Sequence, residues 1–131
     1  MTVIPFPRPA AAPDRRAPFT GPVRIDMPSD DGGPASTGGR IVTFGPGART
    51  AWHVPPHGQL LIVTAGAGWL QRAGEDKTGL RTGDTVWVEA GERHWLGGTA
   101  TSPMTCFVLQ DGGADPMALW DEQVSDEVYL A

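Results

Sequence analysis

Short apolar runs alternate with glycine- and proline-bearing turns over most of the chain after residue 40. The runs are rich in Val, Ile, Leu, Thr and Trp, and they cover residues 41–44, 51–54, 59–64, 69–72, 85–88 and 104–110. Long stretches with a helical period are missing from the sequence. Short β-prone runs at this spacing are typical of a sandwich or a barrel. The pattern therefore predicts an all-β fold.

Neither end of the chain shows this alternation of apolar runs and turns. Residues 1–18 contain five prolines. Because proline lacks a backbone donor, this stretch predicts an extended arm that stays outside any sheet interior. The remainder, 19–131, is expected to form a single domain, which suits a chain of 131 residues. Within it we expect a first short strand at 23–26, one helical turn at 116–120 and a last edge strand at 124–130.

Composition narrows the classes of function. The formal net charge is −5, and the 10 Lys and Arg residues form no basic stripe, so the clustered cations that nucleic-acid binding needs are missing. The sequence shows neither an apolar run of membrane-spanning length nor the order of a secretory signal. A single cysteine, Cys106, excludes a disulfide within the chain. We therefore expect a cytoplasmic protein that binds neither nucleic acid nor membrane. Open sheet edges and the proline-rich arm favour a homodimer.

Two of the three histidines belong to segments in which glycines, histidines and polar residues are regularly spaced. The first segment contains Gly47, His53, Pro55, Gln59 and Gly66, and the second contains Gly83, Glu89, Gly91 and His94. This spacing resembles the paired motifs of the cupin family, G-x5-H-x-H-x3,4-E-x6-G and G-x5-P-x-G-x2-H-x3-N. Whole phrases, such as GQLLIVTAGAGWLQR and GDTVWVEAGERHW, are similar to small single-domain cupins that include manganese-dependent hydroxynitrile lyases and cupins associated with carboxymuconolactone decarboxylases.

The resemblance implies a double-stranded β-helix, the jelly-roll barrel of the cupins, with a small-molecule substrate inside. In the similar subgroup, three histidines and a glutamine hold the metal, and His53, Gln59 and His94 match three of these positions. Strand geometry agrees, because side chains at 53 and 55 alternate onto the same inward face. Neutral imidazoles suit Mn, Fe, Co, Ni or Zn. We expect the three side chains to lie within about 5 Å of a common point, as direct ligation requires.

Three substitutions distinguish the chain from that subgroup. Pro55 stands at the position of a metal-binding histidine, and Leu96 and Cys106 stand where the subgroup carries pocket histidines. The expected cofactor is therefore a weakly held divalent transition metal, either Mn, Fe, Zn or Ni. Hydroxynitrile lyase activity is not expected, because the groups that would move the cyanohydrin proton are missing. His57, in the turn before Gln59, is a candidate replacement ligand; the alternative is an exposed turn residue.

The other candidate residues are expected at the mouth and along the wall of the barrel. The candidate catalytic residues are His94, Arg40, Gln110 and Cys106, and the candidate pocket residues are Val42, Leu61, Leu96 and Val108. The planar guanidinium of Arg40 could bind a carboxylate or an enolate through paired hydrogen bonds. A free cysteine such as Cys106 is more often a small buried residue than a nucleophile.

Three functions stay open, since a fold alone does not choose among them. The first is a lyase, isomerase, cyclase or decarboxylase that acts on a compact, mostly apolar carbonyl-type substrate. The second is a metal-dependent dioxygenase, which the loss of one imidazole at position 55 disfavours. The third is a non-catalytic ligand-binding barrel whose metal site is degenerate.

Overall fold

Antiparallel β-strands dominate the part of the chain that the computed structural model describes, residues 19–26, 39–110, 119–120 and 122–131. In this part the strands are β1 (Phe19–Thr20), β2 (Val23–Asp26), β3 (Gly39–Phe44), β4 (Arg49–Thr50), β5 (His53–Val54), β6 (Gln59–Arg72), β7 (Thr78–Arg81), β8 (Thr85–Val88), β9 (His94–Gly98), β10 (Met104–Gln110) and β11 (Leu119–Trp120). A short helix, α1 (Asp126–Leu130), follows them. The arm expected over residues 1–18 lies outside the described residues.

The long strand β6 joins the two sheets of the molecule. Its first half pairs with β8 and β10, and its second half pairs with β7 and β9. The hydrogen-bonded path runs β1-β4-β9-β6-β10-β3-β2. One strand thus passes from one sheet into the other, as strands do at the corners of packed sheets and small barrels. The result is a nearly closed antiparallel barrel, which confirms the all-β prediction.

The ends of this path leave sheet edges. Among the described strands, β2 pairs with β3 alone and β1 with β4 alone. Edges of this kind allow strand addition by a second chain. The homodimer expected from the sequence stays a prediction.

Alternation along the strands fills the barrel with apolar side chains and leaves a second, smaller cluster outside it. The inner cluster consists of Val23, Val42, Phe44, Ala48, Leu61, Val63, Leu70, Leu80, Val88, Leu96, Met104, Cys106 and Val108. The outer cluster consists of Trp52, Trp95, Val124 and Tyr129. Because neighbouring residues of a strand face opposite sides, buried Trp95 anchors β9 from outside while His94 faces the interior.

The prediction of a last edge strand at 124–130 is wrong, because most of this segment forms helix α1. The side chain of Ser125 caps the helix by accepting a hydrogen bond from the Val128 amide at 3.2 Å. Two acidic residues occupy the first turn, where the helix dipole favours negative charge. Buried Arg49 fixes the helix through an ion pair with Asp126 at 2.7 Å. No helix of the described part is long and apolar enough to span a membrane.

Other segments also differ from expectation. Residues 59–64 and 69–72, predicted as two strands, belong to the continuous strand β6, because Gly66 adopts a φ of 78° and bends the strand without ending it. Thr78–Arg81 forms β7, which the sequence did not predict because the segment lacks an apolar alternation. Leu119–Trp120 pairs with β5 as a strand instead of joining a helical turn.

Candidate functional site

Two histidines meet inside the barrel. His53 of β5 is the direct cross-strand partner of His94 of β9. Their ring centroids lie 4.2 Å apart, and the ring planes are inclined by 53°. His53 is 4% exposed and His94 is completely buried. The structure therefore brings together the two histidines of the spaced segments on one inward face.

Each of these rings is oriented by the backbone carbonyl two residues before it in the chain. His53 Nδ1 lies 3.0 Å from the Ala51 carbonyl oxygen, and His94 Nδ1 lies 2.9 Å from that of Glu92. A carbonyl only accepts hydrogen bonds, so Nδ1 carries the proton in both rings and Nε2 carries the lone pair. In the described part of the chain, His94 Nε2 is buried and makes no hydrogen bond. Such an atom is suited to bind a metal or to accept a proton.

Burial keeps both imidazoles neutral. Desolvation is the main reason that the pKa of His53 is lowered to about 3, and the nearby His94 and Arg40 lower it further. Desolvation also lowers the pKa of His94, although the Glu92 carbonyl and carboxylate partly oppose the shift. At neutral pH the barrel therefore presents two uncharged imidazoles, the form that ligates metals and acts as a base.

In metal-free protein, the depressed pKa of His53 is expected to make stability fall in acid. An unfolded histidine has a pKa of about 6.5, whereas folded His53 takes up its proton only near pH 3. The effect on stability is absent above the unfolded pKa, grows between the two values and is complete below the lower one. His53 alone should lower the free energy of unfolding by up to about 1.4 kcal/mol per pH unit as the pH falls below about 6. Urea unfolding in EDTA between pH ~7 and ~5 measures this slope.

The His53→Phe variant is the control for this prediction. It should show a shallower loss of stability in acid, because one of the two buried imidazoles no longer takes up a proton on unfolding. Equal slopes in the variant and the natural protein would contradict the assignment. The His94 imidazole, whose pKa is also lowered, accounts for the slope that remains.

Pro55 is buried just beyond the end of β5. Its side chain is among the largest fully buried ones in the described residues, and its carbonyl accepts a hydrogen bond from the Gly91 amide at 2.9 Å. The alternation His53 in, Val54 partly out, Pro55 in is the one expected from the sequence. A buried proline ring, which offers no metal donor, therefore stands two residues after His53, and its orientation towards the histidine pair stays a prediction.

Gln59 and His57 differ sharply in their surroundings. Gln59 begins β6, is buried, and pairs in register with Val88 of β8 and Gln110 of β10. His57 is exposed in the turn between β5 and β6, so the structure does not bring it into the interior with the other two histidines. The convergence of the Gln59 amide with the histidine pair stays a prediction, as does the role of the Gln110 side chain.

Arg40 and Cys106 lie on adjacent strands facing the same interior. Arg40 is opposite Val108, and the next inward pair is Val42 with Cys106. Desolvation raises the pKa of the Cys106 thiol to about 12, although Arg40 opposes the shift. At neutral pH Cys106 is therefore a protonated, buried thiol, which does not suit a nucleophile.

The four candidate pocket residues form one apolar wall. Val42, Leu61, Leu96 and Val108 are all buried and belong to the same inner cluster. Cross-strand pairing links all four strands that carry them, because the hydrogen-bonded path runs β9-β6-β10-β3. This wall surrounds the polar groups with low-dielectric material, in which their electrostatic interactions are stronger than in water.

The barrel and its two histidine-bearing segments are those of a known family. The family described as a cupin domain matches residues 40–110, which include both segments. The chain belongs to the cupin family. An (R)-mandelonitrile lyase from Granulicella tundricola is 49% identical to this cupin over 111 residues, which make up 85% of each chain. The resemblance seen in the sequence is thereby confirmed.

Solved structures agree on the fold of this cupin. A cupin-like protein from Thermotoga maritima matches with a TM-score of 0.82 and 33% identity, and the match covers 93% of this chain and 92% of that chain. The polyketide cyclase RemF from Streptomyces resistomycificus matches with a TM-score of 0.70 and 15% identity over 98% and 90% of the two chains. The second likeness shows the fold alone. Together they confirm the jelly-roll cupin barrel.

Some features of the site were not foreseen from the sequence. The carbonyls of Ala51 and Glu92 that orient the rings are backbone groups two residues before each histidine. The repeated spacing was visible, but side-chain identity carries no information about where a carbonyl points. Within the described residues, no group of three or more His, Cys, Asp or Glu side chains is placed to hold a metal ion.

Proposed function

We propose that this cupin is a small-molecule enzyme, of the lyase or isomerase type, that acts on a compact and mostly apolar carbonyl compound inside the barrel. The neutral pair of His53 and His94 carries this proposal, because the buried Nε2 of His94 makes no hydrogen bond within the described residues. A buried polar atom without a partner costs free energy unless a ligand satisfies it. The 49% identity to a mandelonitrile lyase supports lyase chemistry.

The donor set fits a loosely bound divalent transition metal. His53 and His94 offer neutral imidazoles with Nδ1 already oriented, and Gln59 would add a weaker amide oxygen. When bound, the metal supplies a Lewis acid that polarises a carbonyl. Two imidazoles and an amide are fewer strong donors than three imidazoles provide, so we propose weak binding, with Pro55 as its cause.

The residues of the chain have their own roles in this proposal. The apolar wall excludes water and holds the hydrocarbon part of the substrate. Arg40 orients the polar end of the substrate at the barrel mouth. In the metal-free protein, the lone pair on His94 Nε2 accepts a proton from the substrate, and its lowered pKa keeps that lone pair available at neutral pH.

Cyanohydrin cleavage is not part of the proposal. Leu96 and Cys106 are both buried in the interior, where they present a hydrocarbon chain and a protonated thiol. Neither group moves a proton at neutral pH, so we propose carbonyl chemistry other than release of cyanide.

The test is a turnover panel run on freshly purified protein with its metal content measured. Compact aldehydes, ketones, oxo acids and mandelonitrile are offered with added Mn, Zn or Fe and in EDTA. Turnover of a carbonyl compound without oxygen uptake supports the proposal. Oxygen uptake would favour a dioxygenase. Ligand binding by thermal shift without any turnover would favour a binding barrel.

Pro55→His is expected to tighten the binding of Mn, Zn or Ni by at least about tenfold, or roughly 1.4 kcal/mol. The buried position beside His53 would then carry an imidazole in place of a ring without a donor. Competition against a chelator of known affinity measures the change, and thermal unfolding checks that the larger side chain is accommodated.

The control for Pro55→His is His57→Ala. Removal of the exposed His57 should leave metal affinity unchanged. If it instead abolishes binding, His57 is the substitute ligand and Pro55→His should add little. A folded Pro55→His protein with unchanged affinity would show that position 55 is not a ligand position here.

A further inference from the structure

Arg40 places a positive charge in the same interior as the histidine pair. The register sets it opposite Val108, on the face of β3 that carries the buried residues Val42 and Phe44. Its side chain is partly buried, and it is close enough for its charge to act on both His53 and Cys106. The guanidinium therefore faces the interior of the barrel and not the solvent around it.

The charge of Arg40 is not balanced by the described part of the chain. The ion pairs among the described residues involve other arginines. The acidic residue on the adjacent strand, Asp26, lies opposite Ile41 on the other face of β3 and pairs with Arg24 at 3.0 Å. Among the described residues, Arg40 acts on the His53 imidazole and the Cys106 thiol, and neither of these is an acidic side chain.

A partly buried cation without an anionic partner destabilises the folded protein. Partial removal from water without a counter-charge raises the free energy of the folded state. A guanidinium presents parallel donors that match the two oxygens of a carboxylate, and such paired hydrogen bonds are among the strongest in proteins. The residues next to it in the wall, Val42 and Val108, are hydrocarbon, which leaves the anion as the complementary polar group.

We infer that the substrate of this cupin is a compact apolar carbonyl compound that also carries a carboxylate, with Arg40 binding the carboxylate and the carbonyl facing His53 and His94. The inference rests on the proposed function and narrows its substrate class to oxo acids. Arg40 acts as the specificity-determining residue of the site.

The test compares an acid with its neutral ester. Phenylglyoxylate and methyl phenylglyoxylate are titrated calorimetrically in EDTA, which removes any metal that would itself bind a carboxylate. The natural protein is compared with Arg40→Gln, which removes the charge, and with Arg40→Lys, which keeps the charge but not the fork. The matched control is Arg24→Gln, an arginine on the neighbouring strand whose side chain is 56% exposed.

The natural protein should bind the acid at least about tenfold more tightly than the ester. Arg40→Gln should lose this preference while still binding the ester, Arg40→Lys should keep part of it, and Arg24→Gln should keep all of it. Equal binding of acid and ester, acid binding that survives Arg40→Gln, or binding of neither compound would overturn the inference.

The outcomes separate this inference from the proposed function. Arg40-dependent binding of the acid without turnover in the panel would contradict the enzyme and leave the carboxylate site standing. Turnover of a neutral carbonyl compound that is unaffected by Arg40→Gln would support the enzyme and overturn the carboxylate site.

Discussion

His94→Phe is expected to lower turnover of the carbonyl substrate at least a hundredfold, or about 2.7 kcal/mol in transition-state free energy. The substitution keeps a flat ring in the buried position but removes Nε2, the atom that either binds the metal or accepts the proton. Steady-state kinetics on the substrate found in the panel measures the loss.

The matched control for His94→Phe is His57→Phe, which removes the exposed histidine of the turn between β5 and β6 and should keep full turnover. Thermal unfolding shows whether the His94→Phe barrel is intact. A folded His94→Phe protein with native turnover would place the chemistry away from the histidine pair. If the variant loses both its metal and its turnover, His94 is a metal ligand. If the natural protein turns over the substrate in EDTA and the variant does not, His94 transfers the proton.

Gly66→Ala is expected to destabilise the barrel by about 2–5 kcal/mol, the sum of backbone strain and overpacking. Gly66 has a φ of 78°, and an added Cβ would overlap the Pro103 carbonyl oxygen and approach Met104 Cα to 3.3 Å. These neighbours are backbone atoms at the corner of β6, so the strand pairing itself has to shift. Denaturant unfolding measures the change in midpoint.

Gly74→Ala separates the two contributions. Gly74 has a similar φ of 82°, but an added Cβ there meets nothing within 4 Å. Its cost should be the strain alone, about 1–2 kcal/mol. If both alanine variants lost the same stability, the close approach of Pro103 to Gly66 would contribute nothing.

The fold was largely predictable because its signals are local. Alternating β-prone runs separated by glycine and proline identify most strands, including β3, β8 and β10. The glycines of the two spaced segments have positive φ at positions 47, 66, 83 and 91, which explains why that residue type recurs there. The glycine at position 66 led to a wrong prediction of two strands, because it lies at a bend within one strand and not at its end.

The remaining features depend on contacts between distant parts of the chain. Helix α1 has a recognisable cap at Ser125, yet a segment this short is stable only when anchored. The anchors are Arg49, whose guanidinium lies 4.5 Å from the Tyr129 ring centroid, and the Tyr129 hydroxyl, which donates to the Gly98 carbonyl at 2.6 Å. The local sequence around Asp126 does not predict its contact with Arg49, which lies 77 positions earlier in the chain.

The candidate site shows the same division. The resemblance to the paired cupin motifs predicted that His53 and His94 would meet, and they do. The choice of tautomer, the burial of the Cys106 thiol and the lack of a counter-charge for Arg40 among the described residues depend on three-dimensional neighbours. These three features depend on strand register, because a one-residue shift would move each side chain to the opposite face of its strand.

The orientation of the two imidazoles has an evolutionary consequence. Each ring is oriented by the backbone carbonyl two residues before it in the chain, so part of its pose is set by backbone geometry that position 55 does not supply. A lineage can therefore exchange histidine and proline at position 55 while the pair beside it keeps its arrangement. Selection can therefore raise or lower the metal affinity of this barrel through position 55, while the backbone orientation of His53 and His94 is inherited unchanged.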